Sequence, residues 1–293
     1  CGSGVQLHLA LRHALLRPSS GKVYICVQRV PKGQMKLYTR AARFHAVSRA
    51  IADAIAAEQP SFAARTRIIP NPVEVSVFTP PSRVRLEGTE PLVVFTGRIH
   101  PEKGLHVLVR AVAAARAKRP GLRLRLIGAS RVDQGGSGPD YVAELQSLAR
   151  ELAVPLVISE PIFDRPALAA ALHEADIYCY PSLAEKGEAS PIAPVEAMAT
   201  GLAPVVSDIP QFRDYIRPGT TGFVFDHRGD VQHAAANLAA VLLEILEDPA
   251  RAREMGAAAN ARAQELSYER VADLFLADFA SLCADERAIG ARP

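Results

Sequence analysis

From residue 91 onward, short runs of Val, Ile, Leu and aromatic residues alternate with longer Ala- and Leu-rich stretches whose apolar positions recur every three or four residues. The runs are LVVFTG (92–97), LRLRLIG (122–128), PLVIS (155–159), DIYCY (176–180), APVVS (203–207) and GFVFD (222–226). Helical patterns fill 103–118, 139–152, 165–174, 192–200 and 231–247, and the connections are short. This alternation predicts βα units wound on a parallel sheet. Asp164, directly before RPALAAALHEA, reads as a helix N-cap. The chain closes on two further helical stretches, PARAREMGAAANARAQE and LSYERVADLFLADFASLCADERA. The second carries Val271, Leu274, Phe275, Phe279 and Leu282 at helical spacing.

Residues 1–65 read differently. The pattern predicts a helix over 5–16, a strand KVYICVQ (22–28) and a helix over roughly 36–57 containing FHAVSRAIADAIAA. One strand is too few for a domain. The segment RIIPNPVEVSVFTPPS (67–82) follows, and Pro70, Pro72, Pro80 and Pro81 make it an extended hinge, because proline fixes φ and turns its predecessor away from helix. The expected organisation is therefore a partial N-terminal portion (1–78), a parallel-sheet domain (79–266) and a closing helix (267–293).

Composition is that of a packed globular chain: of 293 residues 49% are hydrophobic and 22% charged. Net charge is only +3, but residues 1–80 hold 11 Lys/Arg against 3 Asp/Glu. A front of this sign suits an anionic acceptor or membrane surface, or is simply a solvated face. The four cysteines, Cys1, Cys26, Cys179 and Cys283, show no paired spacing and read as reduced cytoplasmic thiols. No two of the eight histidines stand four apart, so no metal site is expected. No apolar run has the length of a membrane span, and the first residues lack a cationic lead and a cleavage site.

Three segments carry candidate chemistry. TGRIHPEKG (96–104) leaves a strand and opens a helix, where a glycine turn at Gly97 with Arg98 and Lys103 offers two cations to a diphosphate, or forms a solvated strand–helix turn. EASPIAPVE (188–196) sets Glu188 before a helix entry and Glu196 within its first turns, so that two carboxylates suit the hydroxyls of one ligand. Pro191 and Pro194 remove two N–H donors there, leaving Ile192 and Ala193, or Val195 and Glu196 if Pro194 opens the helix. LIGAS (126–130) ends a strand at Gly128, ahead of a GGSG loop (135–138) that reads as flexible. No GxGxxG joins a strand to a helix, which weighs against a nicotinamide enzyme.

These motifs, with IIPNPVEVSVFTP, ALHEADIYCYPS, AMATGLAPVVSD and IRPGTTGFVFD, resemble the group 1 (family four) retaining glycosyltransferases over about residues 67–284. The resemblance implies an α/β fold of GT-B type, with a complete C-terminal Rossmann-like domain and a shortened N-terminal α/β portion. It implies transfer of a sugar from a UDP- or GDP-linked donor to an acceptor hydroxyl with retention, in envelope polysaccharide or glycolipid synthesis, with no cofactor and no metal. Arg98 and Lys103 would hold the diphosphate. Glu188 would meet the donor sugar's hydroxyls and Glu196 the ribose. Gly97, Gly128, Ser190, Ile192 and Ala193 would lie beside the donor, and the leaving phosphate would take the acceptor's proton. The closing LSYERVADLF would cross back to the N-terminal portion.

The pattern departs in two places. Ser190 and Pro191 stand where the family often has an aromatic residue and Gly, and on one alignment Gln28 stands where a catalytic His is expected. The expected partners are a nucleotide sugar, a glycan or lipid-linked acceptor and a peripheral anionic membrane contact, with no nucleic acid. The expected location is the cytoplasm, at the inner face of the membrane. The competing readings are a nucleotide-sugar-binding module with little turnover, and another GT-B enzyme such as an epimerase or phosphorylase.

Overall fold

The computed structural model describes residues 22–82, 86, 90–185 and 187–290, with side chains to 284. The helix expected over 5–16 lies outside these residues. The described residues form two compact units: one contains the chain through Pro72, 187–190 and the chain from Tyr268, the other 73–185 and 191–267.

The first unit is built on a parallel sheet in the order β1 (Tyr24–Val27), β2 (Arg43–Ala46), β3 (Thr66–Ile68). Alternation sorts the side chains. Ile25, Val27, Phe44 and Ala46 turn into a core shared with Met35, Ile51, Ile55 and Phe62, the rings of Phe44 and Phe62 stacking at 4.5 Å. Tyr24, Arg43 and His45 turn the other way, towards the closing helix α8 (Tyr268–Gly290). There the Tyr24 hydroxyl donates to Asp278 Oδ2 at 2.9 Å, Arg43 Nε pairs with Asp278 Oδ1 at 3.0 Å, and the Phe275 ring lies edge-on to His45.

This corrects the reading of 36–57 as one helix and of the front as a single strand. Among the described residues only Met35–Tyr38 is helical before β2, as a single 3₁₀ turn, and α1 begins at Arg49 and runs to Glu58. The reason is local: Ser48 is an N-cap whose Oγ accepts from Ile51 N at 3.3 Å, so helix starts after it. The preceding RFHA is fully buried and pairs with β1 on one side and β3 on the other. The hinge segment likewise yields its first residues to β3, and Ile69 N donates to Ala46 O at 3.0 Å.

The second unit is a six-stranded parallel sheet in the order β6-β5-β4-β7-β8-β9. Its strands are β4 (Leu92–Thr96), β5 (Arg123–Ile127), β6 (Leu156–Ser159), β7 (Ile177–Tyr180), β8 (Val205–Ser207) and β9 (Phe223–Phe225). The helices are α2 (Leu105–Arg116), α3 (Pro139–Glu151), α4 (Arg165–His173), α5 (Ala193–Ala199), α6 (Val231–Glu247) and α7 (Pro249–Gln264). Asp164 caps α4 as expected, its Oδ2 accepting from Ala167 N at 2.9 Å. β4 and β7 are buried because helices cover both faces, which is why they read as near-continuous apolar runs. The strand order reverses between them, and in such sheets ligands gather at the carboxyl ends beside that reversal.

Candidate active site at the carboxyl edge of the second sheet

The ends of β4 and β5 touch through their backbones. Gly97 N donates to Ile127 O at 3.0 Å, Ile99 N to Ala129 O at 2.8 Å, and a Cβ on Gly128 would stand 1.6 Å from Gly97 O. Only glycine fits at 128. The chain then makes a 3₁₀ turn over Pro101–Lys103 and enters α2 through Gly104, at φ +67°, where a Cβ would meet Pro181 O at 2.1 Å.

That turn sets the two cations. Arg98 is exposed, donates to Gly135 O at 2.9 Å and forms a short hydrogen bond with Glu102. Lys103 is buried, its side chain only 5% exposed, with Nζ 3.8 Å from Glu102 Oε1 and 5.4 Å over the Tyr180 ring. Glu102 therefore lies between the two cations and pairs with both. The Gly-rich loop expected to be flexible is tied down: Gly136 N donates to Arg131 O, Ser137 N to Ile99 O and Gly138 N to Ser130 O, at 2.8–3.0 Å.

A cavity of about 490 Å³ opens beside these strand ends, lined in part by Gly97, Arg98, Gly128, Ala193 and Glu196. Sequence reasoning picked these five, and they surround one space. Lys103 and Ile192 do not line it: Lys103 sits beneath Glu102, and Ile192 packs on the core of this unit. Glu188 and Ser190 belong to the first unit, where Glu188 is buried and the Ser190 carbonyl accepts from Asn71 Nδ2 at 3.0 Å.

A family model of the "Glycosyl transferases group 1" matches residues 81–262, more than half of the chain. The chain belongs to that family. Among curated relatives of this family, a D-inositol 3-phosphate glycosyltransferase of Thermomonospora curvata is 33% identical over 63% of this chain and 41% of its own length. A phosphatidyl-myo-inositol mannosyltransferase of Mycobacterium tuberculosis is 34% identical over 70% of this chain and 51% of its own. The chain thus spans about half the length of the curated relatives it matches. In fold it is similar to Anabaena HepE in complex with UDP and glucose, with a TM-score of 0.76 at 19% identity, covering 94% of this chain and 75% of that one. It is also similar to a sucrose-phosphate synthase of Thermosynechococcus elongatus, with a TM-score of 0.74 at 23% identity, covering 93% and 71%. The α/β fold of GT-B type expected from the motifs holds.

Within this group 1 chain the register at the helix entry resolves: α5 begins at Ala193, Pro194 is its second residue, and Glu196 N already donates to Ile192 O at 2.9 Å. Glu196 thus projects from the first turn into the cavity, where burial pushes its carboxyl up to about 7, against a lowering pull from Arg165. Burial also holds the Tyr178 phenol far above its ordinary value, with Thr96 Oγ1 3.1 Å from its hydroxyl. Part of the cavity lining is apolar: Pro161, Ile162, Phe163 and Leu168, with Phe163 78% exposed. Sequence reasoning missed this wall, Gln134 and the bridging Glu102. The signal available for the wall was an apolar PIF between a strand end and the Asp164 cap. Among the described residues no group of three or more His, Cys, Asp or Glu is placed to hold a metal ion.

Proposed function

We propose that this chain transfers a sugar from a UDP- or GDP-linked donor to an acceptor hydroxyl with retention of configuration, in envelope polysaccharide or glycolipid synthesis. The observation that carries the reading is the single cavity at the strand reversal, which joins a glycine floor, an exposed guanidinium and a desolvated carboxylate. The donor diphosphate replaces Glu102 as the partner of Arg98, and Lys103 adds charge from below. As the glycosidic C–O bond breaks, the bonding pair moves to the departing phosphate oxygen, where these cations neutralise the growing charge. That oxygen then takes the proton of the attacking acceptor hydroxyl, so the reaction requires neither a protein base nor a cofactor. Glu196 accepts from ribose hydroxyls, and the wall of Ile162, Phe163 and Leu168 takes the planar base. The relatives named for inositol phosphate and phosphatidylinositol acceptors support a lipid-linked or anionic acceptor.

A second reading, a binding module with little turnover, draws on the cavity's being lined wholly by residues of the second unit. Incubation with labelled nucleotide sugars, following hydrolysis and transfer to lipid extracts, separates the two. Turnover that Glu188→Gln lowers without changing nucleotide affinity supports the transferase and the sugar-side role of Glu188. Binding without any turnover supports the module.

A further inference from the structure

Lysine is seldom buried, yet the Lys103 side chain is only 5% exposed. Its Nζ lies 5.4 Å from the centroid of the Tyr180 ring and 3.8 Å from Glu102 Oε1. Tyr180 ends β7, and its own ring is braced by two others. Phe95 stacks on it at 5.4 Å with 25° between the planes, and Phe212 meets it edge-on at 5.9 Å and 83°. All three rings are buried. Glycine at 97 leaves room for the stacked pair, since a Cβ there would stand 2.8 Å from Phe95 Cζ and 3.4 Å from a Tyr180 ring carbon. The backbone after Tyr180 grips the same turn that carries Lys103. Leu183 N donates to Glu102 O at 2.8 Å, and Gly104 lies so close to Pro181 O that no Cβ fits between them. The turn carrying Phe212 is fixed as well, because Gln211 beside it donates from Nε2 to Glu185 O at 2.6 Å.

We infer that Tyr180 is a positioning residue whose ring face holds the Lys103 ammonium in place beneath Glu102. This assignment rests on the reading that a diphosphate binds at Arg98, and it identifies the group that keeps the second cation there. The negative face of an aromatic ring attracts a cation most strongly where water is excluded, as it is around Lys103. Without the ring, the lysine stem is long and flexible enough to carry its charge out to water. Glu102 alone does not fix the ammonium, because at 3.8 Å it pairs with Lys103 beyond hydrogen-bond distance and also holds Arg98. Phe95 and Phe212 in turn keep the Tyr180 ring from tilting away.

The test compares Tyr180→Leu, which removes the ring, with Tyr180→Phe, which keeps it. Lysine amines of the full chain are acetylated with an N-hydroxysuccinimide ester and read by mass spectrometry, and UDP, GDP and their nucleosides are titrated by calorimetry. In Tyr180→Leu, Lys103 should label several-fold faster, and UDP or GDP should bind roughly two- to fivefold more weakly while the nucleoside is unaffected. Tyr180→Phe should match the unaltered chain in both measurements. In a Lys103→Met background Tyr180→Leu should cost no further nucleotide affinity, whereas a general loosening of the cavity would add to the loss. Phe212→Leu leaves the Tyr180 ring and removes its edge-on brace, so it should speed Lys103 labelling to a smaller extent, and it takes the place of Tyr180→Leu if that variant does not fold. Unchanged Lys103 labelling in Tyr180→Leu overturns the inference. So does faster labelling with unchanged UDP and GDP affinity, or a nucleotide loss that persists undiminished in the Lys103→Met background. If the unaltered chain binds neither UDP nor GDP, the diphosphate reading fails, and Lys103 labelling alone decides whether Tyr180 holds the ammonium.

Discussion

Glu196→Gln should make the chain more stable and its nucleotide binding weaker, and the two effects should separate with pH. In the cavity, burial raises the Glu196 carboxyl from 4.5 to about 7. At about 1.36 kcal/mol per pH unit this corresponds to roughly 3 kcal/mol of destabilisation when the carboxylate is fully charged. Water in the open cavity trims the figure to roughly 2–3 kcal/mol. The sign follows from linkage. An acid whose folded value lies above its unfolded one holds its proton better when folded, so its cost is absent below about 4.5, grows between about 4.5 and 7, and is complete above about 7. Glutamine keeps the shape and carries no charge. In urea unfolding at pH 8.5 the variant should therefore gain roughly 2–3 kcal/mol, shrinking below about 1 kcal/mol at pH 5. Calorimetry on the same samples should show weaker nucleotide binding, because an amide accepts ribose hydroxyls less strongly than a carboxylate. A variant no more stable than the unaltered chain at pH 8.5, or one whose advantage grows towards acid, would refute the claim that Glu196 is a desolvated carboxylate held ready for a ligand.

Other perturbations have equally definite outcomes. Arg98→Ala should weaken UDP or GDP about tenfold or more, at roughly 1.5–3 kcal/mol for its charge-assisted contact, and Lys103→Ala, whose ammonium acts from outside the cavity lining, should weaken them less, while an uncharged nucleoside is unaffected. Gly128→Ala places a methyl 1.6 Å from Gly97 O, a backbone atom that cannot step aside. It should cost roughly 3 kcal/mol or more in denaturant unfolding, and a soluble variant of unchanged midpoint would contradict the close approach. Asp278→Ala strands Arg43, whose side chain is 7% exposed, and should cost roughly 3–5 kcal/mol. Arg43→Met combined with Asp278→Leu should regain most of that loss, and urea unfolding of the single and double variants shows whether it does.

The second unit was legible almost element by element because its physics is regular: strands buried on both faces read as apolar runs, and short connections keep strand and helix patterns from merging. The first unit was not. β2 is four residues long, directly abuts a capped helix, and includes Arg43 and His45, which turn towards α8 instead of solvent. Its polar–apolar alternation lasts only four residues, too short to stand out from the helical pattern that follows, and the other local trace was Ser48 as a cap. β3 has three residues and runs into the prolines that made its segment read as an extended hinge. At the site, charge and glycine spacing pointed to Gly97, Arg98, Gly128 and Glu196, since these follow strand ends or open helices. Lys103 was named as a direct contact, yet its depth below Glu102 depends on the 3₁₀ turn and on Gly104, which only the folded backbone shows. The wall around Phe163 is made by a connection, where periodicity carries no information.

The most direct measurement is isothermal titration of UDP, GDP and their common sugar conjugates into the chain and into Arg98→Ala. One nucleotide family should bind to the unaltered chain with a single site, and the variant should bind it about tenfold or more weakly. Absence of binding by every nucleotide, or binding that Arg98→Ala leaves unchanged, would contradict the assignment of the cavity to a nucleoside diphosphate.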